Sequence, residues 1–449
     1  MTSHTPNRDL AALMRLASMS NKGLARRVCE IAAEHGQSVN YGHANVRRWL
    51  DGVQPRGMTP YFVAQAIGRK LGRPVSVAEV GMLPPEGNHP VQADKYAEHL
   101  TDSIEMISRL VHIDLAGASP RTVDLDTSTW SEVMVRWLLT PDSAVPRERV
   151  SPTGAIIAVQ RSTSLFSQLD YQFGGGYARS ALIQYIASEV DPLLRITANR
   201  KVPELLCASA ALLRLAGWTA YDTGQHQAAL RYLIQALRLA QEADDRALGG
   251  RILAGMSHQA NYLGHYEHAV NLARAAQRGA HSAATPTAMT LFYAMEARGL
   301  ANMGQRAACE HALDQAENWF SRRIPENEPE WLQYFDAAEL AAEFAHCYRD
   351  LGDAPRAIEY AGLAIDTHDP MYVRSISFCR TVLATGHVAR GEIEQGIALA
   401  DMVLSTTSAL RSGRCVSYVR DFVGRLQPYV KSAEVAEFCE RAKDTLGRI

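Results

Sequence analysis

Residues 38–52 read SVNYGHANVRRWLDG, and the rest of the chain is organised around this stretch. At 3.6 residues per turn, Val46, Trp49 and Leu50 share one face of a helix, while polar and basic side chains occupy the other faces. Gly52 marks the end of the helix, because glycine adopts the left-handed conformation that closes helices. The pattern predicts a short helix that docks on a core by one face and presents hydrogen-bond donors on the other.

Arginine forks and amide side chains on an exposed helix pair well with base edges and phosphates, so this helix is a candidate for DNA recognition. An ordinary amphipathic surface helix with solvated arginines is the alternative. The charge distribution favours DNA recognition. Residues 1–80 contain 11 Lys and Arg against 5 Asp and Glu, a balance of +6, whereas the remaining chain contains 35 against 43, a balance of −8. A basic head on an acidic body fits a head that contacts a polyanion.

The flanking sequence predicts a compact domain of short helices. Apolar spacing predicts helices over Arg8–Ala17 and Lys22–His35, with Asn21 as the N-cap of the second. A fourth helix begins near Pro60, and a very short fifth begins at Ser76. Five short helices in about eighty residues form a domain around one small core.

Leu24-Ala25 on the second helix, Val46 with Gly52 six residues later, and Pro55 resemble the phage-repressor type (XRE-like) helix-turn-helix over residues 8–82. The segment between Leu24 and Val46 is about ten residues longer than in short family members, so the second helix or the turn must be longer. The resemblance implies that Trp49 belongs to the core and that residues around Val46 read DNA. The DNA-binding residues expected in this way are His43, Ala44, Asn45, Arg47 and Arg48, together with Arg56 in the following turn.

Residues 83–152 are expected to connect two domains. Three prolines between Leu83 and Pro90 resist helix formation and extend the chain. Two helical segments interrupt the connection, one marked by apolar residues from Tyr96 to Val111 and one from Trp130 to Leu139.

From residue 153 the chain becomes almost wholly helical, and it repeats. Gly224, Gly264 and Gly304 are forty residues apart, and the series continues with Gly352 and Gly391. Small residues follow most of these glycines at fixed distances, so each repeat is predicted to be a helix, a turn at the glycine and a second helix. A helix pair that cannot bury its own apolar face must stack on a neighbour, which predicts an α-solenoid and an all-α protein.

The small residues Ala229 and Ala236 with Leu233, and Gly217 before the turn, resemble tetratricopeptide (TPR) repeats, although the period is forty residues and not thirty-four. The resemblance implies a TPR-like domain over residues 153–449 in which the first helix of each pair lines the concave face. Residues placed there by counting from the turn glycines are Arg214, Trp218, Tyr221, Arg251, His258, Asn261, Arg298 and Arg349, with Glu339 and His346.

Arginines, aromatic rings and amides that converge on a concave surface suit an extended peptide or a small acidic ligand. The alternative is that these side chains solvate a channel or pair with one another. The sequence therefore predicts a ligand-binding groove without deciding what it binds.

The sequence offers no basis for an enzyme, a cofactor or a metal site. The glycines from Gly174 to Gly176 lack the Gly-Lys-Ser/Thr ending of a P-loop and are better explained as a turn between helices. His258, His265 and His268 do not share one helical face with a further ligand. The seven cysteines are scattered and never in a Cys-x-x-Cys spacing, so neither disulfides nor a cysteine zinc site are expected.

No apolar run approaches the length needed to span a bilayer and the N-terminus has no apolar signal core, so a cytoplasmic protein without membrane contact is expected. The combination of domains resembles transcription regulators of high-GC Gram-positive bacteria and, more distantly, the peptide-sensing RRNPP group. This likeness implies a homodimer on double-stranded promoter DNA, controlled by a peptide or small-molecule signal. A TPR adaptor that docks a protein partner, with no regulatory role, is the alternative.

Overall fold

The computed structural model describes residues 6–34, 39–55, 59–71, 73, 75, 77, 79–82, 96–117, 127–139, 154–197 and 202–447. Throughout these ranges the chain forms helices and turns, and they contain no β-strand. None of the helices in these ranges is long and apolar enough to cross a membrane. The chain divides into two compact units, an N-terminal unit of Met1–Gln92 with Met106–Thr122 and a repeat unit of Ala93–Glu105 with Val123–Ile449. The all-α fold predicted from the sequence is confirmed.

The N-terminal unit packs short helices around a core of apolar side chains. Leu10, Leu24, Val46 and Ile67 come from four different helices and are almost completely buried in this core. Burying such side chains is the main source of stability for a domain of this size. The helices are α1 (Arg8–Leu16), α2 (Asn21–Glu34), α3 (His43–Leu50), α4 (Thr59–Leu71) and the later part of α5 (Leu100–Leu115).

One detail of this unit corrects the sequence analysis. Asn21 is the first residue of α2 and not its cap, because the hydroxyl of Ser20 accepts a hydrogen bond from the backbone N–H of Gly23 at 3.1 Å. Serine is as good an N-cap as asparagine, and the pattern did not separate two adjacent candidates. Of the expected fifth helix, Ser76 lies outside the described residues, and Glu79 belongs to a turn.

The repeat unit is a series of antiparallel helix pairs. Before the first pair come α6 (Ser128–Leu139), α7 (Gly154–Phe173) and α8 (Gly175–Tyr185), which continues through a π-helical segment into α9 (Asp191–Thr197). The pairs that follow are α10 (Pro203–Asp222) with α11 (His226–Glu242), α12 (Arg246–Tyr262) with α13 (Tyr266–Ala280), α14 (Pro286–Asn302) with α15 (Arg306–Phe320), α16 (Ala337–Asp350) with α17 (Ala354–Thr367), α18 (Val373–Ala389) with α19 (Ile393–Thr407), and α20 (Gly413–Arg425) with α21 (Ala433–Leu446).

The five periodic glycines lie in the turns where the sequence places them. Gly224 has φ +81° and Gly264 has φ +83°, a backbone conformation that residues with a Cβ rarely adopt. In each turn the next residue donates its backbone N–H to a carbonyl five residues earlier, which satisfies the end of the first helix. These bonds join Gln225 to Ala220, His265 to Ala260, Gln305 to Leu300, Asp353 to Tyr348 and Glu392 to His387.

The repeat unit closes on itself. The carboxylate of Asp170 on α7 accepts two hydrogen bonds of 2.8 Å from the guanidinium of Arg374 on α18, although 204 residues separate them. The backbone N–H of Gly176 donates to the carbonyl of Arg411 at 2.8 Å, and the N–H of Arg411 donates to the carbonyl of Phe173 at 2.9 Å. Helix α7 is therefore bonded to α18, and the turn between α7 and α8 is bonded to the segment between α19 and α20.

Candidate functional site

Helix α3 presents the first candidate surface. Val46 is fully buried and Trp49 is 4% exposed, whereas Arg47 and Arg48 between them are exposed to solvent. His43 and Ala44 in the first turn are exposed as well, and Asn45 is half-buried. Arg56, the remaining residue expected to bind DNA, lies outside the described residues. The structure thus places the described candidates on the open side of α3 and Trp49 in the core.

Contacts at both ends hold α3 in place. The side-chain oxygen of Asn45 accepts a hydrogen bond from the N–H of Gly42 at 3.0 Å, which anchors the first turn. The ring of Tyr41 packs edge-on against Trp49 at 5.2 Å, and its hydroxyl lies 2.7 Å from that of Thr59 on α4. At the other end Gly52 has φ +93°, so the helix ends where the sequence predicts. The exposed side chains of α3 therefore project from a firmly held backbone.

A cavity in the repeat unit is the second candidate site. It encloses about 1040 Å³, including open solvent at its mouth. The first helix of each pair from α10 to α20 contributes to its wall, as expected for a TPR-like superhelix, and α7 completes it. Four residues that each lie six positions before a turn glycine face the cavity. Residues at the same distance from the turn in successive repeats lie on the same face of the first helix. These residues are Trp218, His258, Arg298 and His346.

The residues expected to bind a ligand fall into two groups. Lining the cavity are Arg214, Trp218, Arg251, His258 and Arg298. Tyr221 lies behind the wall, 1% exposed, with its hydroxyl 2.9 Å from Nδ1 of His258. Asn261 and Arg349 do not line the cavity either. The side-chain oxygen of Asn261 accepts from Asn302 at 3.4 Å, and the guanidinium of Arg349 donates to Asp350 at 2.6 Å.

Ion pairs between helices are the feature that sequence reasoning missed. Arg298 donates to the carboxylate of Glu343 at 2.8 Å, and both side chains are only 7% exposed. Glu343 lies nine residues before Gly352, and Leu215, Gly255 and Met295 lie nine residues before their own turn glycines. All four line the cavity, so counting from the turn glycines could have identified Glu343 from the sequence.

A second group of ion pairs surrounds Asp222, which is completely buried at the end of α10. Its carboxylate accepts hydrogen bonds from Nε of Arg414 at 2.7 Å and from the backbone N–H of Gly175 at 2.8 Å. Arg374 lies 3.2 Å from the same carboxylate and also binds Asp170. The glycine-rich turn therefore packs against α10, where a Cβ on Gly175 would lie 2.8 Å from that of Asp222. The expectation of a turn between helices at Gly174–Gly176 is confirmed.

Burial lowers the pKa of both histidines of the cavity wall. Burial and the nearby guanidinium of Arg414 hold the pKa of His258 well below its usual range. Burial and the guanidinium of Arg298 do the same to the pKa of His346. His265 and His268 instead pack against Trp130, with ring centroids 5.3 and 5.6 Å away. The local clustering of histidines thus has an explanation in aromatic packing.

Comparison with known proteins gives one partial match. Residues 10–83, which include most of α1 and all of α2 to α4, match the family model described as the SP15 N-terminal domain. No curated protein matches the chain. The match lies within the N-terminal unit.

Proposed function

We propose that this protein is a cytoplasmic, DNA-binding transcription regulator whose repeat unit receives a signal. The observation that carries the proposal is the division of α3 into a buried face, formed by Val46 and Trp49, and an exposed face with Arg47 and Arg48. The major groove of B-DNA is wide enough for one α-helix, and arginine pairs with guanine edges and with phosphates. The +6 balance of residues 1–80 supports binding to a polyanion.

The resemblance to XRE-like regulators with TPR-like repeats supports a homodimer that binds two half-sites about one helical turn, or a multiple of it, apart. The cavity of the repeat unit supports binding of a peptide or small molecule, since it is a concave site lined by aromatic rings and by several converging charged groups. A ligand that prefers one arrangement of the dimer would change the spacing of the two α3 helices and with it the affinity for DNA.

The test begins with selection of duplexes from a pool of randomised double-stranded oligonucleotides by the full chain. We expect enrichment of a two-fold symmetric sequence, and we expect binding to weaken steeply with salt because phosphate contacts release counterions. Arg47→Ala with Arg48→Ala should reduce affinity for the selected duplex about 30-fold or more and flatten the salt dependence.

The control removes two arginines elsewhere. Arg161 on α7 and Arg420 on α20 are also exposed, so Arg161→Ala with Arg420→Ala changes the net charge equally. This control should bind the selected duplex like the wild type. If no sequence is enriched, or if both double variants bind equally, the regulator proposal is wrong. Retention of a protein partner by the repeats would then support a TPR adaptor.

A further inference from the structure

The charges around the cavity do not balance. Three carboxylates lie in or directly behind its wall, and three arginines balance their charge. Arg298 pairs with Glu343, whereas Arg374 and Arg414 together pair with Asp170 and Asp222. A fourth is Glu339, and burial and the neighbouring carboxylate of Glu343 raise its pKa to about 8, which favours the uncharged acid at neutral pH. The remaining cations of the wall, Arg214 and Arg251, have no carboxylate within 4 Å among the described residues.

Arg251 on α12 is 94% buried. One of its terminal nitrogens donates to the hydroxyl of Tyr334 at 3.2 Å, and its guanidinium lies 4.8 Å from the centre of that ring and 4.9 Å from the ring of Trp331. Its Nε has no hydrogen-bond partner. A buried cation whose neighbours are all neutral costs free energy of folding. A folded protein that keeps a cation in such a position therefore indicates a binding site for an anion.

Arg214 faces the same cavity from the adjacent α10 and is partly exposed. Burial and the positive charge of Arg251 lower its pKa to about 10, whereas Tyr171 and Tyr334 act in the opposite direction. Tyr171 lies beside this pair, with its ring stacked at 6.2 Å on that of Tyr334. Two cations that repel each other thus stand side by side, next to two phenol groups that can donate hydrogen bonds.

We propose that Arg214 and Arg251, with Tyr171 and Tyr334, bind the dianionic group of a small molecule, either one phosphate monoester or two neighbouring carboxylates. The inference rests on the proposed role of the cavity as a signal-binding site and names the class of signal. A dianion neutralises the two unbalanced charges, and the arginine fork matches the geometry of phosphate and carboxylate oxygens. The aromatic wall, which includes Trp218 and Phe378, takes the apolar body of the ligand.

The experiment measures ligand binding by the full chain in the absence of DNA, by thermal shift and by calorimetry at pH 7 and constant ionic strength. The probes are inorganic phosphate, phenyl phosphate and phthalate, with benzyl alcohol as the neutral comparison. We expect phenyl phosphate or phthalate to raise the melting temperature by about 3 °C at saturation, and the better of the two identifies phosphate or paired carboxylates as the natural group. Inorganic phosphate should bind the same site more weakly, and benzyl alcohol should have no effect.

The variant that tests the assignment is Arg214→Gln with Arg251→Gln, and Arg161→Gln with Arg420→Gln is the charge-matched control. The first should lose at least tenfold in affinity for every anionic probe, and without ligand it should melt no lower than the wild type, because a repulsion has been removed. Arg214→Lys keeps the positive charge but loses the two parallel donors of the guanidinium, so it should bind the anionic probes about tenfold more weakly. It is a second test variant that is expected to fold. Equal binding by the two double variants, or no response of the wild type to any anion, overturns the proposal. Because no DNA is present, these outcomes are independent of whether the protein regulates transcription.

Discussion

The arginines of the two units lie in opposite environments. In the N-terminal unit, Arg47 and Arg48 extend into solvent from a helix whose core contacts are purely apolar. In the repeat unit, Arg298, Arg374 and Arg414 are 3–6% exposed and bound to carboxylates. The first kind of arginine costs the fold almost nothing and remains available to a partner. The second kind holds helices together, and removing its partner leaves a buried charge.

The difference teaches how to separate candidate contacts from structural ones. Both sets of arginines lie on helices, so the residue type and the secondary structure do not separate them. What separates them is whether another part of the chain covers that face. A buried arginine that pairs with no carboxylate among the described residues, such as Arg251, is then the informative exception. The predictions that follow test this separation in order of decreasing effect.

Arg374→Ala should have the largest effect on stability. The substitution leaves Asp170 and Asp222 buried without their shared guanidinium and breaks the contact between α7 and α18. We expect a loss of about 3–5 kcal/mol in the free energy of unfolding, measured by denaturant titration of the full chain. Arg420→Ala, at an exposed position, is the matched control and should be nearly neutral. A loss below about 1 kcal/mol for Arg374→Ala would contradict the distinction between the two kinds of arginine, because the buried ion pairs would then contribute little to stability.

Trp49→Ala should destabilise the N-terminal unit by about 3–4 kcal/mol. Trp49 fills the core beneath α3 and contacts Tyr41, so its removal opens a cavity under the candidate recognition helix. The measurement is the denaturation midpoint of the N-terminal unit in the full chain, with Trp319→Ala, at a half-buried position in the repeat unit, as the comparison. If the two substitutions cost the same, Trp49 is not the core residue that its burial indicates.

Glu339 should make stability depend on pH. Burial raises the pKa of its carboxyl from 4.5 to about 8, with Glu343 and Asp336 acting in the same direction and Arg374 opposing them. The folded state therefore binds a proton more tightly than the unfolded state, and this contribution is complete below pH 4.5 and lost as the pH rises through 8. We expect stability to fall across that window because this group loses its proton. Glu339→Gln should flatten the profile of stability against pH, and an unchanged slope would contradict the assignment.

Arg47→Ala with Arg48→Ala should have the smallest effect on folding. Exposed substitutions away from caps and cores rarely change stability by more than about 0.5 kcal/mol, so the melting temperature should stay within about 1–2 °C of the wild type. A large destabilisation by this pair would show that the arginines belong to the fold, and loss of DNA binding by the variant could then no longer be attributed to lost contacts.

The local features of the fold were predictable because their causes are local. Gly224 and its four counterparts need a positive φ, and glycine adopts it at little cost, so the turns can be located from one residue type and its period. Gly52 ends α3 for the same reason. The buried side of α3 follows from the spacing of Val46 and Trp49 alone.

The partners of the cavity residues were not predictable in the same way. Asp170 and Arg374 meet only because the superhelix curves far enough to bring α7 against α18, and no local pattern records that curvature. The distance of a residue from the turn glycine indicates which face of the helix it lies on. It does not indicate whether its side chain reaches the cavity or is covered by a neighbouring helix. For this reason Arg214 and Arg251 line the cavity as expected, whereas Asn261 and Arg349 do not.

The closure of the repeat unit also constrains how such a chain can evolve. An open repeat array gains or loses a repeat at modest cost, because each repeat contacts only its neighbours. Here the carbonyl and N–H of Arg411 are matched to Gly176 and Phe173, and Arg374 is matched to Asp170. Duplication or deletion of one helix pair would carry these groups out of reach of each other. These contacts therefore constrain the number of helix pairs between α8 and α18, and new specificity is expected from substitutions on the inner wall.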